Sequence, residues 1–384
     1  MYDNIVHCQL LLQEWRMDIL KKFDVSNPYE YVANLKKATG KPVLAYMCSY
    51  TPEEIIYAAG AHPFRIFGQV EAISKADAHL QAYSCSLVRG ALEDALQGKL
   101  SFVDGAVFPH TCDSIQRLSD IWRLNAGMKH HFDVVWAVKL NTNSARTYMH
   151  DVLVRFVKEL EESFGITISD DKLHKAVDTY NEIRSLLKTV WQLKSDNKSA
   201  LTGSQMNALI KAVMVMDRDQ VAANLKALIP SIELSPQPEK RKRIMLIGGI
   251  CNHPDIYDYI EASGGVVVWD DLCTGSRYFE GAIVTDKEPL QAIADRYYER
   301  NICPAKHRDY YTRAETIKAM IKQHNVQGAI FLYLKFCDPH SFDYPYLKEA
   351  LDEVGVPSIL LELEQQLPSE GQMKTRLEAF IDMI

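Results

Sequence analysis

The stretch AIFLYLKFCDPHSFDYP, residues 329–345, runs like a buried strand for eight positions and then stops on Cys337, Asp338 and Pro339. Such a run, with little polar alternation, suits a strand covered on both faces, as in a parallel sheet flanked by helices. Working outward, the same unit recurs. Upstream lie the strand-like IMLIGGI (244–250) and VVVWDDL (266–272), separated by the amphipathic PDIYDYIEASG, and then a helical stretch over 288–324. Downstream come the helical YPYLKEALDEVG, the strand PSILLELE and a last helix, GQMKTRLEAFIDMI. Strands alternating with helices define a parallel sheet with helices on both sides.

The N-terminal part repeats the pattern. Strands are expected at PVLAYMC (42–48), HPFRIFG (62–68), FVDGAVFPHTC (102–112) and FDVVWAVKL (132–140). The intervening helices are one starting with Thr51 as N-cap, Pro52 at N1 and Glu54 closing a capping box, one over 78–98 ended by Gly98, and DSIQRLSDIWRL. From Ser144 to Ile229 the pattern changes to long amphipathic helices, and the Pro-containing SIELSPQPEKRK (231–242) reads as a linker. The expected fold class is therefore α/β. A helical N-terminal arm (1–36) precedes a first α/β domain (37–143), a helical insert with its linker (144–235) and a second α/β domain (236–384).

Composition narrows the function classes. The 384 residues are 47% hydrophobic and 24% charged, as in a globular protein, and the net charge of −7 argues against nucleic acid as the main partner. The short basic run EKRKRIM (239–245) reads as a solvated lead-in to a strand. The N-terminus is amphipathic rather than a signal peptide, and no apolar run reaches the ~18 residues of a membrane span. A cytoplasmic place is expected, with no membrane partner and with reduced thiols.

Eight cysteines then need a purpose in packing, metal binding or redox chemistry. No CxxC pair occurs, so a metal site would have to be assembled by the tertiary fold. Cys48, Cys112, Cys251, Cys273 and Cys337 each fall at the carboxyl end of an expected strand, the edge of a parallel sheet where ligands bind. Cys112, Cys273 and Cys337 precede helix starts, whose N–H groups favour a thiolate. Cys85 reads as lying inside a helix one turn from Arg89, and Cys303 has Lys306, His307 and Arg308 nearby. Packing is the plain reading for Cys8 and stays open for Cys251. The histidines are dispersed, so all-thiolate ligation points to iron and sulfide more than to zinc. There is no phosphate-binding loop and no GxSxG elbow. Gly371 and Gln372, at the start of the last helix, read as a helix cap or as a polar contact near the site.

Several stretches taken together are TPEEIIYAAGAHPFRIFG, YSCSLVRG, FVDGAVFPHTCDSIQRLSDIW, WDDLCTGSRYF and FCDPHSFDYPYLKEAL, followed by GQMKTRLEAF. In this order, over nearly the whole chain, they resemble the benzoyl-CoA reductase and 2-hydroxyacyl-CoA dehydratase family of iron-sulfur proteins. The resemblance implies two flavodoxin-like domains with a 4Fe-4S cluster held between them by three cysteines, matched here by Cys85, Cys112 and Cys337. It also implies electron delivery from a separate ATP-hydrolysing iron-sulfur activator. Cys48, Cys273 and Cys303 exceed that pattern. The resulting six are similar to the double-cubane branch, in which six cysteines of one chain hold two bridged cubanes (8Fe-9S) and homodimers reduce small molecules. The expectation is an iron-sulfur reductase of that type. One alternative is a single-cluster subunit of a heteromeric acyl-CoA dehydratase or reductase, paired with a paralogue. The other is a non-catalytic electron carrier or zinc-stabilised scaffold.

Overall fold

A computed structural model describes residues 14–68, 72–232, 241–300, 303–309, 311–364 and 369–384. Cys8 and most of the expected linker lie outside these residues. The first sheet holds β1 (Val43–Tyr46), β2 (His62–Arg65), β3 (Gly105–Phe108) and β4 (His130–Asp133), all parallel, in the order β2-β1-β3-β4. The second holds β5 (Lys242–Gly248), β6 (Gly265–Asp271), β7 (Gly328–Leu334) and β8 (Ser358–Leu363), in the order β6-β5-β7-β8. Both are flavodoxin-like, and their order is the same: the chain steps from the first strand to one side and then crosses to the other. That reversal opens a crevice at the carboxyl ends of β1 and β3, and again at β5 and β7. At the second crevice β5 and β7 approach so closely that a Cβ on Gly248 would stand 2.0 Å from the Leu332 carbonyl oxygen, so only glycine fits.

Fifteen α-helices and a short 3-10 turn (Ala76–Ala78) complete the described residues. α1 (14–21) and α2 (Pro28–Thr39) precede the first sheet; α3 (Glu53–Ala58), α4 (Ser86–Leu96) and α5 (Asp113–Asn125) connect its strands. α6 (Asn143–Phe164), α7 (Asp170–Ser195), α8 (Gly203–Val213) and α9 (Arg218–Ile232) form the segment between the sheets. α10 (Asp255–Ala262), α11 (Ser276–Phe279), α12 (Pro289–Glu299), α13 (Thr312–Gln323), α14 (Asp338–Glu353) and α15 (Glu370–Met383) belong with the second sheet. Local chemistry explains the clearest boundaries. Asn27 caps α2, which starts on Pro28 and ends at the left-handed Gly40; Thr202 and Gln205 make a reciprocal capping box on α8. Among the described residues no helix is long and apolar enough to cross a membrane.

The α6–α9 segment covers an edge of each sheet, which protects unpaired strand backbone. At β2, the Arg65 amide donates to the Met214 carbonyl at 3.3 Å and the His62 ring meets the Val215 carbonyl at 2.8 Å. At β6, Trp191 on α7 donates to Asp270 at 2.8 Å. The two halves are joined by a buried ion network on α3. Glu53 receives Arg218 at 2.8 Å and the hydroxyls of Tyr180 and Tyr278 at 3.1 and 3.2 Å. Its neighbour Glu54 is held by Arg184 and by Tyr297 at 3.3 Å, with Arg296 at 4.0 Å.

Several sequence expectations are corrected. Thr51 does not cap α3: the helix starts at Glu53, no side chain caps it, and Glu54 turns into the ion network instead of closing a capping box. The strand expected at 132–140 is β4 at 130–133; the apolar residues after it leave the sheet and wrap the site, with Trp136 stacked on Tyr297. The helical stretch over 288–324 is broken between α12 and α13, and Cys303 lies in the break. α4 starts at Ser86 rather than near residue 78, so Cys85 is not inside a helix.

Arg218 is buried, so Arg218→Met strands the Glu53 carboxylate without its cation. The expected cost is about 3–5 kcal/mol, read from the urea midpoint. Burial pulls the His62 ring down to about 3, with Arg218 adding to the effect. The unfolded chain titrates this ring at about 6.5, so its stabilising contribution is complete above that pH and is lost as the pH falls towards the folded value. His62→Gln should therefore flatten the loss of stability on going from pH 7 to pH 5, in denaturation curves taken across that range.

Candidate metal centre

The carboxyl ends of the sheets carry the thiols. Cys48 follows β1, Cys112 follows β3, Cys273 follows β6 and Cys337 follows β7. Cys85 stands at the N-cap of α4, and Cys303 pairs with Lys306 in a short backbone bridge between α12 and α13. Cys85, Cys112, Cys303 and Cys337 line one cleft of about 790 Å³. Thr111, also on its wall, donates to the Cys48 sulfur at 3.3 Å. The adjacent Ser49 hydroxyl donates to the Cys273 carbonyl at 3.4 Å, so the Cys48 and Cys273 segments touch. The six form one connected series of electrostatic neighbours: Cys337 senses Cys85, Cys112 and Cys303, Cys112 senses Cys85, Cys48 and Cys303, and Cys48 and Cys303 both sense Cys273. All six are free thiols.

Cys251 is left out of this group. It is fully buried behind β5, its sulfur points at the His253 carbonyl at 3.5 Å, and its charged neighbours are Lys211 and Asp270. Its full burial favours the packing reading. Gly371 and Gln372 sit in the first turn of α15, exposed and away from the cleft wall.

Burial dominates the thiol chemistry. It pushes Cys112 up to about 12 and also raises Cys48, Cys85, Cys303 and Cys337, so without a bound cation these groups stay protonated at neutral pH. Two different devices work against it. Cys85, Cys112 and Cys337 are the N-cap residues of α4, α5 and α14. Their sulfurs sit at the positive ends of three helices, where the amides of Val88, Ile115 and His340 favour the thiolate. The Cys337 sulfur also lies 3.1 Å from the His340 ring.

The other three lack such helix ends and have cations instead. Arg277 reaches the Cys273 sulfur at 3.6 Å while paired at 2.7 Å with both oxygens of Asp271. Arg65 donates to the Ser49 hydroxyl at 2.9 Å and Arg300 to the Ser49 carbonyl at 3.0 Å. Lys306 donates to the Trp136 carbonyl at 3.0 Å; burial brings its amine down to about 8, and Cys303, Cys48 and Cys112 act to raise it. Sequence reasoning named Lys306 but missed Arg65, Arg277 and Arg300. The available signal was a charged residue inside an apolar run, as in HPFRIFG.

Among the described residues no three His, Cys, Asp or Glu side chains converge as they would on a single metal ion. The thiols are spread around the cleft, a donor set that suits a polynuclear group of iron and sulfide, where each thiolate binds its own metal. The cleft wall adds apolar surface from Val138, Pro304, Phe336, Phe342 and Tyr346.

A protein with two flavodoxin-like sheets and a thiol-lined cleft at their carboxyl ends is thus defined. Residues 48–384 match the family described as 2-hydroxyglutaryl-CoA dehydratase, D-component. The chain belongs to that family, which includes proteins of the acyl-CoA dehydratases and of benzoyl-CoA reductase. It is 27% identical to the (R)-phenyllactyl-CoA dehydratase beta subunit of Clostridium sporogenes, over 94% of this chain and 96% of that one. It is 26% identical to a subunit of the benzoyl-CoA reductase of Thauera aromatica, over 100% of this chain and 98% of that one. The (R)-2-hydroxyglutaryl-CoA dehydratase beta subunit of Acidaminococcus fermentans is also 26% identical, over 91% of this chain and 94% of its own.

The placement of the cysteines separates their expected behaviour. Cys251→Ala should leave the metal content of anaerobically purified protein unchanged, whereas Cys112→Ser should lower it, as measured by elemental analysis against protein concentration.

Proposed function

We propose that this chain is an iron-sulfur reductase in which Cys48, Cys85, Cys112, Cys273, Cys303 and Cys337 hold a double-cubane cluster. The observation that carries this reading is the division of six gathered thiols into two sets of three. One set stands on helix N-termini and the other among buried cations. A cluster bound there would accept single low-potential electrons and pass them to a substrate in the cleft. The family resemblance gives those electrons a source in a separate ATP-hydrolysing iron-sulfur activator, and this sequence has no phosphate-binding loop of its own. The exposed face of α5, directly after Cys112, is the candidate surface for its docking. We further propose that residues 37–143 and 236–384 act as the two α/β domains of a cytoplasmic homodimer.

The chain's own residues have definable tasks in this reading. Thr111 holds the Cys48 sulfur by its hydroxyl, and Arg277 orients Cys273. Phe336, Phe342, Pro304 and Pro339 reduce water at the cleft wall, which strengthens every electrostatic interaction inside it. Asp113, Asp309, Asp338 and Asp343 also line the cleft. Arg313, the one arginine of that wall among the described residues, is engaged by Asp271 and by Asp343 at 2.6 Å. Such a lining favours a small neutral or cationic substrate over a polyanionic phosphate carrier, which would call for free arginine and lysine.

The second reading keeps a single 4Fe-4S cluster on Cys85, Cys112 and Cys337, in one subunit of a heteromeric acyl-CoA dehydratase or reductase. It is favoured by the three relatives named above, each of which is by name a subunit of an acyl-CoA enzyme. Anaerobic purification with iron and sulfide analysis decides between them. About eight irons per chain are expected, about four would select the second reading, and none would remove both. Substrate-dependent reoxidation of the reduced protein then separates a reductase from a passive electron carrier.

A further inference from the structure

The six thiols are not surrounded evenly by charge. Five buried cations stand behind or between them: Arg65, Arg277, Arg300, Lys306 and Arg313. Arg277 and Arg313 share Asp271, and Arg313 also binds Asp343, so these two cations meet two carboxylates. The remaining three meet none. Among the described residues Arg65, Arg300 and Lys306 make no ion pair, and their acceptors are a hydroxyl and backbone carbonyls. The Nε atoms of Arg65 and Arg300 have no hydrogen-bond partner among those residues. The α3 network beyond supplies no spare negative charge either, since Arg184, Arg218 and Arg296 there face only Glu53 and Glu54.

A guanidinium cannot shed its proton in a protein, and a buried charge without a counter-charge is strongly unfavourable. These cations therefore belong to a site whose counter-charge is supplied by something bound. Their placement is one-sided. Arg65 and Arg300 both hold Ser49, next to Cys48 and in contact with the Cys273 carbonyl; Lys306 bridges Cys303 through its backbone, and its amine senses Cys303 and Cys48 ahead of Cys112. Cys85, Cys112 and Cys337 rely on helix ends instead.

We propose that Arg65, Arg300 and Lys306 are positioning residues whose uncompensated positive charge holds the anionic group bound by Cys48, Cys273 and Cys303. They thereby make that half of the centre the more easily reduced one. This rests on the double-cubane reading above. The half on Cys85, Cys112 and Cys337 needs no such cations, because three helix dipoles serve it. The cationic side of the centre would thus be the side beside Ser49, with Cys303 carrying it to the cleft wall.

The test uses anaerobically purified protein with Arg65→Gln, Arg300→Gln and Lys306→Met, beside the charge-keeping Arg65→Lys and Arg300→Lys. Iron and sulfide per chain are measured, together with the midpoint potential from titrations followed by electron paramagnetic resonance. The neutral variants should either lose about half of their iron and sulfide or keep them at a lower midpoint potential, and the lysine variants should stay near the parent. Neutral variants that fold and match the parent in both measurements overturn the proposal. So do lysine variants that lose iron as fully as the glutamines, since the arginines would then act by shape alone. If a glutamine variant fails to fold, Lys306→Met carries the same comparison from a residue bound only to carbonyls. A parent protein with four irons or none is a different result, because it removes the double-cubane reading itself.

Discussion

The pair Glu53–Glu54 is the constraint from which the rest of the centre takes its geometry. These carboxylates open α3 a few residues after Cys48, and they draw in side chains from four other helices. Tyr278 follows Cys273 on α11, Arg296 and Tyr297 precede Cys303 on α12, and Arg184 and Arg218 come from α7 and α9. Three cysteine-bearing segments that are far apart in sequence are thereby held against one buried anionic point. Removing a partner leaves a charge in the interior, so the arrangement has one good geometry and few near alternatives. Aromatic packing makes the same joint stiff: Trp136 stacks on Tyr297 with centroids 5.0 Å apart, and its indole donates to the Tyr50 carbonyl at 2.7 Å.

The sheets contribute what the ion network cannot. Both follow the same strand order, and both turn their switch-point crevice towards the same cleft. Cys112 and Cys337 occupy corresponding places, after the third strand of each sheet and at the start of the next helix. Two copies of one topological solution thus bring two helix N-termini to one cavity. The remaining helix end, that of α4, arrives through the connection after β2, where Gly68 and Gly90 allow the backbones to touch: a Cβ on Gly90 would lie 2.7 Å from the Gly68 carbonyl. Helix dipoles act without titrating, so this half of the site is electrostatically prepared at any ordinary pH.

Much of the fold was legible in the sequence, because buried parallel strands announce themselves as uninterrupted apolar runs and the runs ended on cysteine. The gathering at strand ends held for Cys48, Cys112, Cys273 and Cys337. What was hidden depended on contacts between distant segments. Arg218 and Glu53 are 165 positions apart, and nothing local marks either as a partner of the other. The same distance disguised Glu54, whose spacing from Thr51 fits a capping box while its side chain serves the interior. Residues 134–140 misled for a related reason: VVWAV has the composition of a strand, yet its Trp136 ring is spent on the aromatic stack, its Trp136 carbonyl on Lys306 and its Val138 carbonyl on the His307 amide. Cys85 was placed inside a helix because the residues before it have helical composition, although α4 begins only at Ser86.

The two electrostatic devices explain how one scaffold can serve centres of different size. Helix N-termini come with the βα topology, so any chain that folds into these two sheets has a thiolate-favouring position after β3 and β7 whether or not other ligands are present. Arginines in the interior are different. They are unfavourable unless an anionic group accompanies them, so a chain holding only three thiolates would be destabilised by Arg65, Arg300 and Lys306 in these places. A buried cation without a carboxylate is therefore a more telling mark of a larger anionic group than an extra cysteine is, because cysteine alone packs well in an apolar interior. Cys251 shows the contrast. It too follows a strand at a switch point, but it is fully buried; among the described residues its one neighbouring cation, Lys211, is accompanied by the Asp270 carboxylate, and no other thiol acts on it. Position on the sheet brings a thiol to the edge of the centre, and the surrounding charge decides whether it takes part.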